Sequence, residues 1–381
     1  MKVAGLFAGI GGFEVGLEAA GHTTSLLCDI DLAARRVLEA RFDCRIGADV
    51  RDVTLRADID LVTAGFPCQD LSQAGRTNGL AGSESGSVRY LFNLLRKRRV
   101  PWVLIENVPF MLHLDGGHAM SYLVDELEQL GYDWAYRTID ARAFGLPQRR
   151  KRVFLLAARD YDPRDVLLSG SRQPQQHLRR INGEACGFYW TEGNRGLGWA
   201  VDAVPPLKGG SGCGIVSTPA IVMPSRSIGI PDIRDGERLQ GFRPGWSRPG
   251  ICAGERLGVR WRLVGNAVNV RVSKWIGERL NCPRLYKSKD DVVMKGSDKW
   301  PAAAWGVGGK RAKSVAGMWP VRRQGPPLAD FLKYSLEPLS HRATLGFLTR
   351  LLNSRLNVDE DFIVDLENHL INMNHVEAKN V

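Results

Sequence analysis

Three sets of residues able to do covalent or acid–base chemistry each adjoin an apolar run in this chain. Cys68 lies in LVTAGFPCQDLS (61–72), where a strand-like segment runs into Gly65 and Pro67. A thiol at the carboxyl end of a parallel strand stands where an open α/β sheet places its chemistry. The same position also suits a small buried hydrophobe, the ordinary state of a single cysteine. Glu106 lies in VPWVLIENVPF (100–110), with the polar pair Glu106-Asn107 closing a buried run. A carboxylate so placed either caps a helix or faces a cleft. Gln148-Arg149-Arg150-Lys151-Arg152 leads directly into the apolar strand Val153 to Ala158. Alternation in an extended segment puts Gln148, Arg150 and Arg152 on one side, so at least one arginine faces inward.

The amino terminus supplies a ligand-binding turn. Val3 to Phe7 reads as a short buried strand, followed by Ala8-Gly9-Ile10-Gly11-Gly12 and a helix with Phe13, Gly16, Leu17 and Ala20 on one face. Strand, glycine turn and helix N-terminus make a nucleotide-type pocket, because glycines let a ligand approach the backbone. In G-x-G-x-x-G register from Gly9, the third glycine position holds Glu14, whose charge would oppose a pyrophosphate. That argues against NAD and FAD. A second strand, Thr23 to Cys28, ends in Asp29-Ile30-Asp31, about 20 residues beyond the turn, the spacing of a ribose-binding acid. Asp49, after the next apolar stretch, could accept from an adenine amino group. Ribose and adenine without phosphate suggest S-adenosylmethionine. An ordinary α/β repeat with solvated loop acids is the plainer alternative.

The chain carries, in order, FAGIGGF (7–13), CDID (28–31), GFPCQ (65–69), ENV (106–108), PQRRKR (147–152), RLQGF (238–242) and VGNAV (264–268). With these motifs it resembles the carbon-5 cytosine-specific DNA methyltransferase family, over residues 3 to about 280. The resemblance implies an α/β fold: a doubly wound mixed sheet (Rossmann-like, the SAM-dependent methyltransferase fold), a smaller irregular or β target-recognition domain and a C-terminal helical extension. It implies transfer of a methyl group from S-adenosylmethionine, leaving S-adenosylhomocysteine, to carbon 5 of a cytosine flipped out of a specific double-stranded DNA sequence. Cofactor contacts would come from Phe7, Gly9, Gly11, Gly12, Asp29, Ile30 and Asp49, completed by Asn266, Ala267 and Val268.

The chemistry explains these residue types. Adding a thiolate at carbon 6 of cytosine breaks the aromaticity and makes carbon 5 enamine-like, able to attack a methyl donor. A free thiol of pKa about 8.5 is less than about a tenth ionised at neutral pH, so the site must favour the thiolate or deprotonate it on attack. By resemblance Cys68 is the nucleophile and Glu106 holds ring nitrogen 3 and the exocyclic amine. Arg152, with Arg150, would supply fixed positive charge toward the ring carbonyl and the nucleophile. No residue of the sequence presents itself as the base for the carbon-5 proton. The target atom is hidden in a duplex and must be rotated out. By resemblance Ser72 to Ser87, with Gly75, Gly79, Gly82 and Gly86, is the loop that closes over the base; composition alone also fits a plain surface loop. Gln69 and Ser72 are expected beside the substrate, and Arg195, Lys208, Ser211 and Arg226 against DNA.

Competing functions leave different marks. A catalytically dead DNA-binding module would be expected to lose Cys68, Glu106 or the arginines, and all are present. The family's tRNA-modifying branch shares the core but carries a Cys-Phe-Thr signature, which is absent here. A thiol-redox protein needs a resolving cysteine near Cys68, and the nearest, Cys44, offers no motif.

The 381 residues exceed one typical domain, and 44% apolar content is ample for a core. A net charge of +11 suits a phosphate-backbone partner. Double-stranded DNA is the partner implied, and the enzyme could be solitary or accompany a cognate restriction endonuclease. Arg96-Lys97-Arg98-Arg99 closes a helix, where cations complement the dipole. Seven cysteines without a CxxC pair argue for a reducing compartment and against both disulfides and a metal site. The start MKVAGLFAGIGGFE interrupts the apolar run of a signal peptide, and no stretch approaches the roughly 18 apolar residues of a membrane helix. A cytoplasmic protein acting at a bacterial or phage nucleoid is expected.

Strands near 3–7, 23–28, 60–66, 102–107, 134–140 and 152–158 alternate with helices near 13–20, 32–42, 87–99 and 118–130. Residues 1–160 are therefore the expected catalytic domain. Residues 161–236 are the expected target-recognition region: Asn182 to Gly214 holds nine glycines with Tyr189, Trp190 and Trp199 and no helical period. Residues 237–283 return to complete the catalytic domain. Residues 284–381 read as an extension, with a polar linker or arm over Tyr286 to Pro327. Two amphipathic helices follow, His341 to Leu356 and Glu360 to Met373. They could dock on the core, join an oligomer or bind DNA.

Overall fold

The computed structural model describes residues 1–66, 86–174, 183–193, 196–210, 216–356 and 358–379. The chain divides into two compact units. The first comprises Met1–Ala143, Lys151–Pro174 and Ala267–Arg322; the second comprises Phe144–Arg150, Gln175–Asn266 and Arg323–Val381. Strands in chain order are β1 (Lys2–Leu6), β2 (Thr23–Cys28), β3 (Arg45–Gly47), β4 (Leu61–Ala64), β5 (Trp102–Asn107), β6 (Asp133–Asp140), β7 (Lys151–Ala158) and β8 (Cys186–Phe188). They continue with β9 (Trp199–Val201), β10 (Ala220–Val222), β11 (Ile228–Ile230), β12 (Val292–Val293), β13 (Ala303–Val307), β14 (Lys310–Lys313) and β15 (Glu337–Pro338).

The first unit is built on a mixed sheet of order β12-β14-β13-β6-β7-β5-β4-β1-β2-β3. From β3 to β5 the neighbours are parallel; β7 runs antiparallel to both β5 and β6. The unbroken apolar runs of β4 and β5 are buried along their whole length, as central strands of a covered parallel sheet must be. Helices Gly12–Glu18, Leu32–Arg41, Ser87–Lys97 and His118–Gln129 fall where the periodicity expects them. Helix Val270–Asn281 packs on the first of these, and Ser273 Oγ donates to Phe13 O at 2.5 Å. A Cβ on Gly16 would lie 2.6 Å from that helix's backbone, so only glycine fits the crossing.

Tyr286 to Pro327, expected as a polar linker or arm, is in part sheet. It carries β12, β13 and β14, with β13 pairing antiparallel to β6 and so widening the sheet. Trp300 packs edge-on against Trp134 and Tyr136 with ring centroids 6.0 and 6.1 Å away. The overlooked signal is Gly308-Gly309, both at positive φ (57° and 75°), the pair that a two-residue hairpin turn requires. Arg137 on β6 is fully buried and anchors the same segment through Nε to Gly317 O at 2.6 Å. Burial lowers its guanidinium pKa to about 10.

The second unit has a five-stranded sheet of order β15-β11-β10-β8-β9, in strands of two or three residues. Such strands bury little by themselves, and the C-terminal helices cover them. Helix His341–Leu352, capped by Ser340 on Ala343 N, and helix Glu360–Lys379 bring Phe347 and Phe362 onto Phe188, with ring centroids 4.6 and 5.4 Å away. Leu339, Leu348, Leu351 and Leu366 complete this core with Cys186, Ala220, Val222 and Ile228. The hairpin is thus part of a domain core. Buried Asp235 ties the preceding segment down by accepting from Lys333 N at 3.0 Å and Tyr334 N at 3.1 Å. Phe347→Ala should destabilise the second unit by about 3–5 kcal/mol, measured by chemical denaturation followed through tryptophan emission.

Candidate active site

Glu106 closes β5, and the antiparallel register of β7 sets Phe154 opposite it and Val153 opposite Asn107. Arg152, two residues before Phe154, is therefore the diagonal neighbour on the same face. Its Nε lies 3.1 Å from Glu106 Oε1, and the two side chains are only 14% and 10% exposed. A carboxylate this buried needs such a cation, because removing one partner leaves an uncompensated charge. Asn107, not among the residues expected to act, donates from Nδ2 to Phe66 O at 3.1 Å and accepts Val108 N at 2.8 Å. It thereby fixes the end of the segment that leads from β4 toward Pro67-Cys68. An amide directly beside the acid was the available signal. Cys68, Gln69 and Ser72, and most of the expected closing loop (72–87), lie outside the described residues.

Gln148 and Arg150 belong to the second unit. Gln148 Nε2 donates to Leu239 O at 2.8 Å and its Oε1 accepts Leu207 N at 3.2 Å. Arg150 is 2% exposed, with Nη1 on Leu207 O at 2.8 Å and Nη2 on Gly265 O at 3.2 Å. Alternation holds through this run, with Arg149 and Lys151 exposed. The inward arginine at 150 nevertheless serves backbone carbonyls, whereas the one at 152 meets the acid.

The expected cofactor loop is held by backbone geometry. Phe7 takes φ 53°, a left-handed conformation that costs a non-glycine residue on the order of 1–3 kcal/mol. Gly9 N donates to Asp29 Oδ2 at 2.7 Å, Ala8 N donates to Cys28 O at 3.0 Å and Asp31 N donates to Asp29 Oδ1 at 2.9 Å. A Cβ on Gly9 would meet nothing within 4 Å, so the loop is open at that point. A Cβ on Gly12 would lie 2.2 Å from Val268 O, which binds the loop closely to the chain's return. Ile30 presents a side chain in a residue 75% exposed. Burial raises the carboxyl pKa of Asp29, against the bonds from Asp31 and Gly9 that lower it. Asp49 caps the turn Val50–Asp52 and pairs with Arg51 Nη2 at 2.6 Å, and hydrogen bonding from that guanidinium holds its carboxyl below the usual range. Phe7, Gly9, Gly12, Asp29 and Val268 are brought together, and the donor set of acid, backbone amides and apolar surface fits a nucleoside without phosphates. Asn266 lies in the second unit, exposed and close against Gly209. Glu14 does not face a phosphate position: it is 1% exposed and accepts Thr63 Oγ1 at 2.7 Å.

Residues 1–187 match the family model of the C-5 cytosine-specific DNA methylases. Over 387 aligned residues the chain is 48% identical to the Type II methyltransferase M2.BsuMI of Bacillus subtilis (strain 168), covering 96% of this chain and 97% of that one. The chain belongs to the C-5 cytosine-specific DNA methylase family. A second relative, Type II methyltransferase M.BsuFI of Bacillus subtilis, is 33% identical over 153 residues, 40% of this chain and 37% of that protein. The Dnmt2 methyltransferase of S. pombe shares the fold, with a TM-score of 0.53 at 17% identity over 74% of this chain and 98% of that one.

Two cations of the methylase expected to meet DNA have partners inside the second unit. Arg226, at φ 68°, pairs through Nη1 with Asp365 Oδ2 at 2.8 Å on the last helix. It fastens the hairpin, while its side chain stays 52% exposed. Lys208 Nζ lies 3.1 Å from Glu192 Oε1 and 4.0 Å from the centroid of the Tyr189 ring. Arg195 and Ser211 lie outside the described residues. Among those described, no helix is long and apolar enough to cross a membrane. Asn107→Ala removes the bond to Phe66 O and should slow methyl transfer about 10- to 100-fold with little change in cofactor affinity. Single-turnover kinetics beside equilibrium binding separates the two.

Proposed function

We propose that this methylase acts on a cytosine extruded from a specific double-stranded DNA site, through a transient bond between carbon 6 and Cys68. The observation that supports it most is the Glu106–Arg152 pair at the end of β5. It stands next to the strand from which residue 68 follows, with Asn107 joining the two. The Cys68 thiolate forms the carbon–sulfur bond, and the displaced electron pair enriches carbon 5. Glu106 holds ring nitrogen 3 and the exocyclic amine, so that positive character there offsets the charge created by addition. Arg152 orients Glu106 and supplies the fixed cation. Arg150 acts at one remove, holding the Leu207 and Gly265 carbonyls. The loop Phe7–Gly12, Asp29 and Ile30, with Ala267 and Val268, would hold S-adenosylmethionine, which supplies an electrophilic methyl group. Once carbon 5 bears the methyl group, loss of its proton to a water molecule returns the electron pair to the ring, breaks the carbon–sulfur bond and releases the Cys68 thiolate.

The second unit is read as the target-recognition module, with Lys208, Arg195 and Ser211 its candidate contacts. Type II naming of the relatives supports a companion restriction endonuclease, and their bacterial sources support action in the cytoplasm.

A duplex bearing 5-fluorocytosine at a target mapped by conversion sequencing tests the covalent step. With donor present, wild type should form a denaturant-stable complex, while Cys68→Ser should form none and incorporate no methyl label. Glu106→Gln should be slower by about 10²- to 10⁴-fold. Turnover by the Cys68 variant at the wild-type rate would refute the scheme.

A further inference from the structure

Glu14 takes no part in the chemistry above, yet its carboxyl is enclosed beneath the cofactor loop. It stands in the first turn of helix Gly12–Glu18 and is 1% exposed. Its Oε1 accepts Thr63 Oγ1 at 2.7 Å, and a Cβ on Gly5 would lie 2.4 Å from that oxygen, so the group is closely packed. Among the described residues, Oε2 is buried with no partner. Thr63 belongs to β4, three residues before Phe66. One hydrogen bond thus joins the turn Gly9–Gly12 to the strand that leads toward Cys68.

We infer that Glu14 is a positioning residue: neutral, it fixes the S-adenosylmethionine loop against the nucleophile's strand, and its ionisation loosens them and weakens donor binding. The inference rests on the reading that Phe7–Gly12 holds the donor. A carboxylate with an unpartnered buried oxygen is strongly disfavoured. Among the described residues, the groups facing it offer no counter-ion. Its own helix brings Glu18 and the segment after helix Leu32–Arg41 brings the Cys44 thiol, whose own pKa Glu14 helps raise. Strands β1 and β4 bring Gly5 and Thr63. Helix Val270–Asn281 meets this helix at Gly16, and its Lys274 and Glu278 lie 3.8 Å from each other. Burial pushes the Glu14 carboxyl up to about 7, against the lowering effect of the Thr63 bond. Since this exceeds the unfolded value, the group's contribution to stability is full below about 4.5 and is lost as pH rises through about 7.

The test is calorimetric affinity for S-adenosylhomocysteine at pH 6 and pH 8.5 in wild type, Glu14→Gln and Thr63→Val. The ligand's own amino group titrates alike in all three and cancels in the ratios. The Kd of wild type relative to Glu14→Gln should rise about tenfold between the two pH values, equivalent to one pKa unit of linkage. Thr63→Val should already bind more weakly at pH 6. A constant ratio across the range, or unaltered affinity of Thr63→Val at pH 6, would overturn the inference. Absence of binding by wild type at both pH values would instead overturn the reading of the loop.

Discussion

Glu106 ends a strand buried on both faces, and a carboxylate is tolerable there only where a cation meets it. Arg152 meets it because β7 runs antiparallel to β5 with a register that makes the two diagonal neighbours. The reversal of one strand in an otherwise parallel region therefore creates the charged pair of the site. Asn107, one residue on, turns to the neighbouring strand end at Phe66. Acid, cation and the approach to the thiol are thus referenced to one sheet, whose central strands are too tightly packed to shift independently.

The loop proposed to hold the cofactor follows a different logic. Its form depends on the backbone: a strained Phe7, glycines at positive φ and amides bonded to Asp29. The lack of a side chain matters there too, because a Cβ on Gly12 would lie 2.2 Å from Val268 O. Glu14 lies underneath, and the bond it accepts from Thr63 connects this loop to the same sheet that orders the acid and the cation. The two halves of the proposed reaction share one frame.

The second unit shows what short strands require. Strands of two or three residues cannot close a core, so Phe347, Phe362 and a leucine-rich helical hairpin from later in the chain supply it against Phe188 of β8. Arg226 and Asp365 fasten that hairpin at its edge. A segment that looks like an appendage in sequence order is structural to the region proposed to read DNA.

The sequence by itself determined the sheet-forming runs, the glycine turn, the acid at the end of β5 and the inward alternation of Gln148, Arg150 and Arg152. Each is a local pattern whose period or punctuation survives without knowledge of neighbours. Tertiary structure alone decided which inward arginine meets the acid, since that depends on strand register. It also decided that Glu14 turns into the sheet, that Arg226 faces a helix 139 residues later and that residues 292–313 extend the large sheet. These outcomes depend on long-range partners, and no local period encodes where a distant partner will stand.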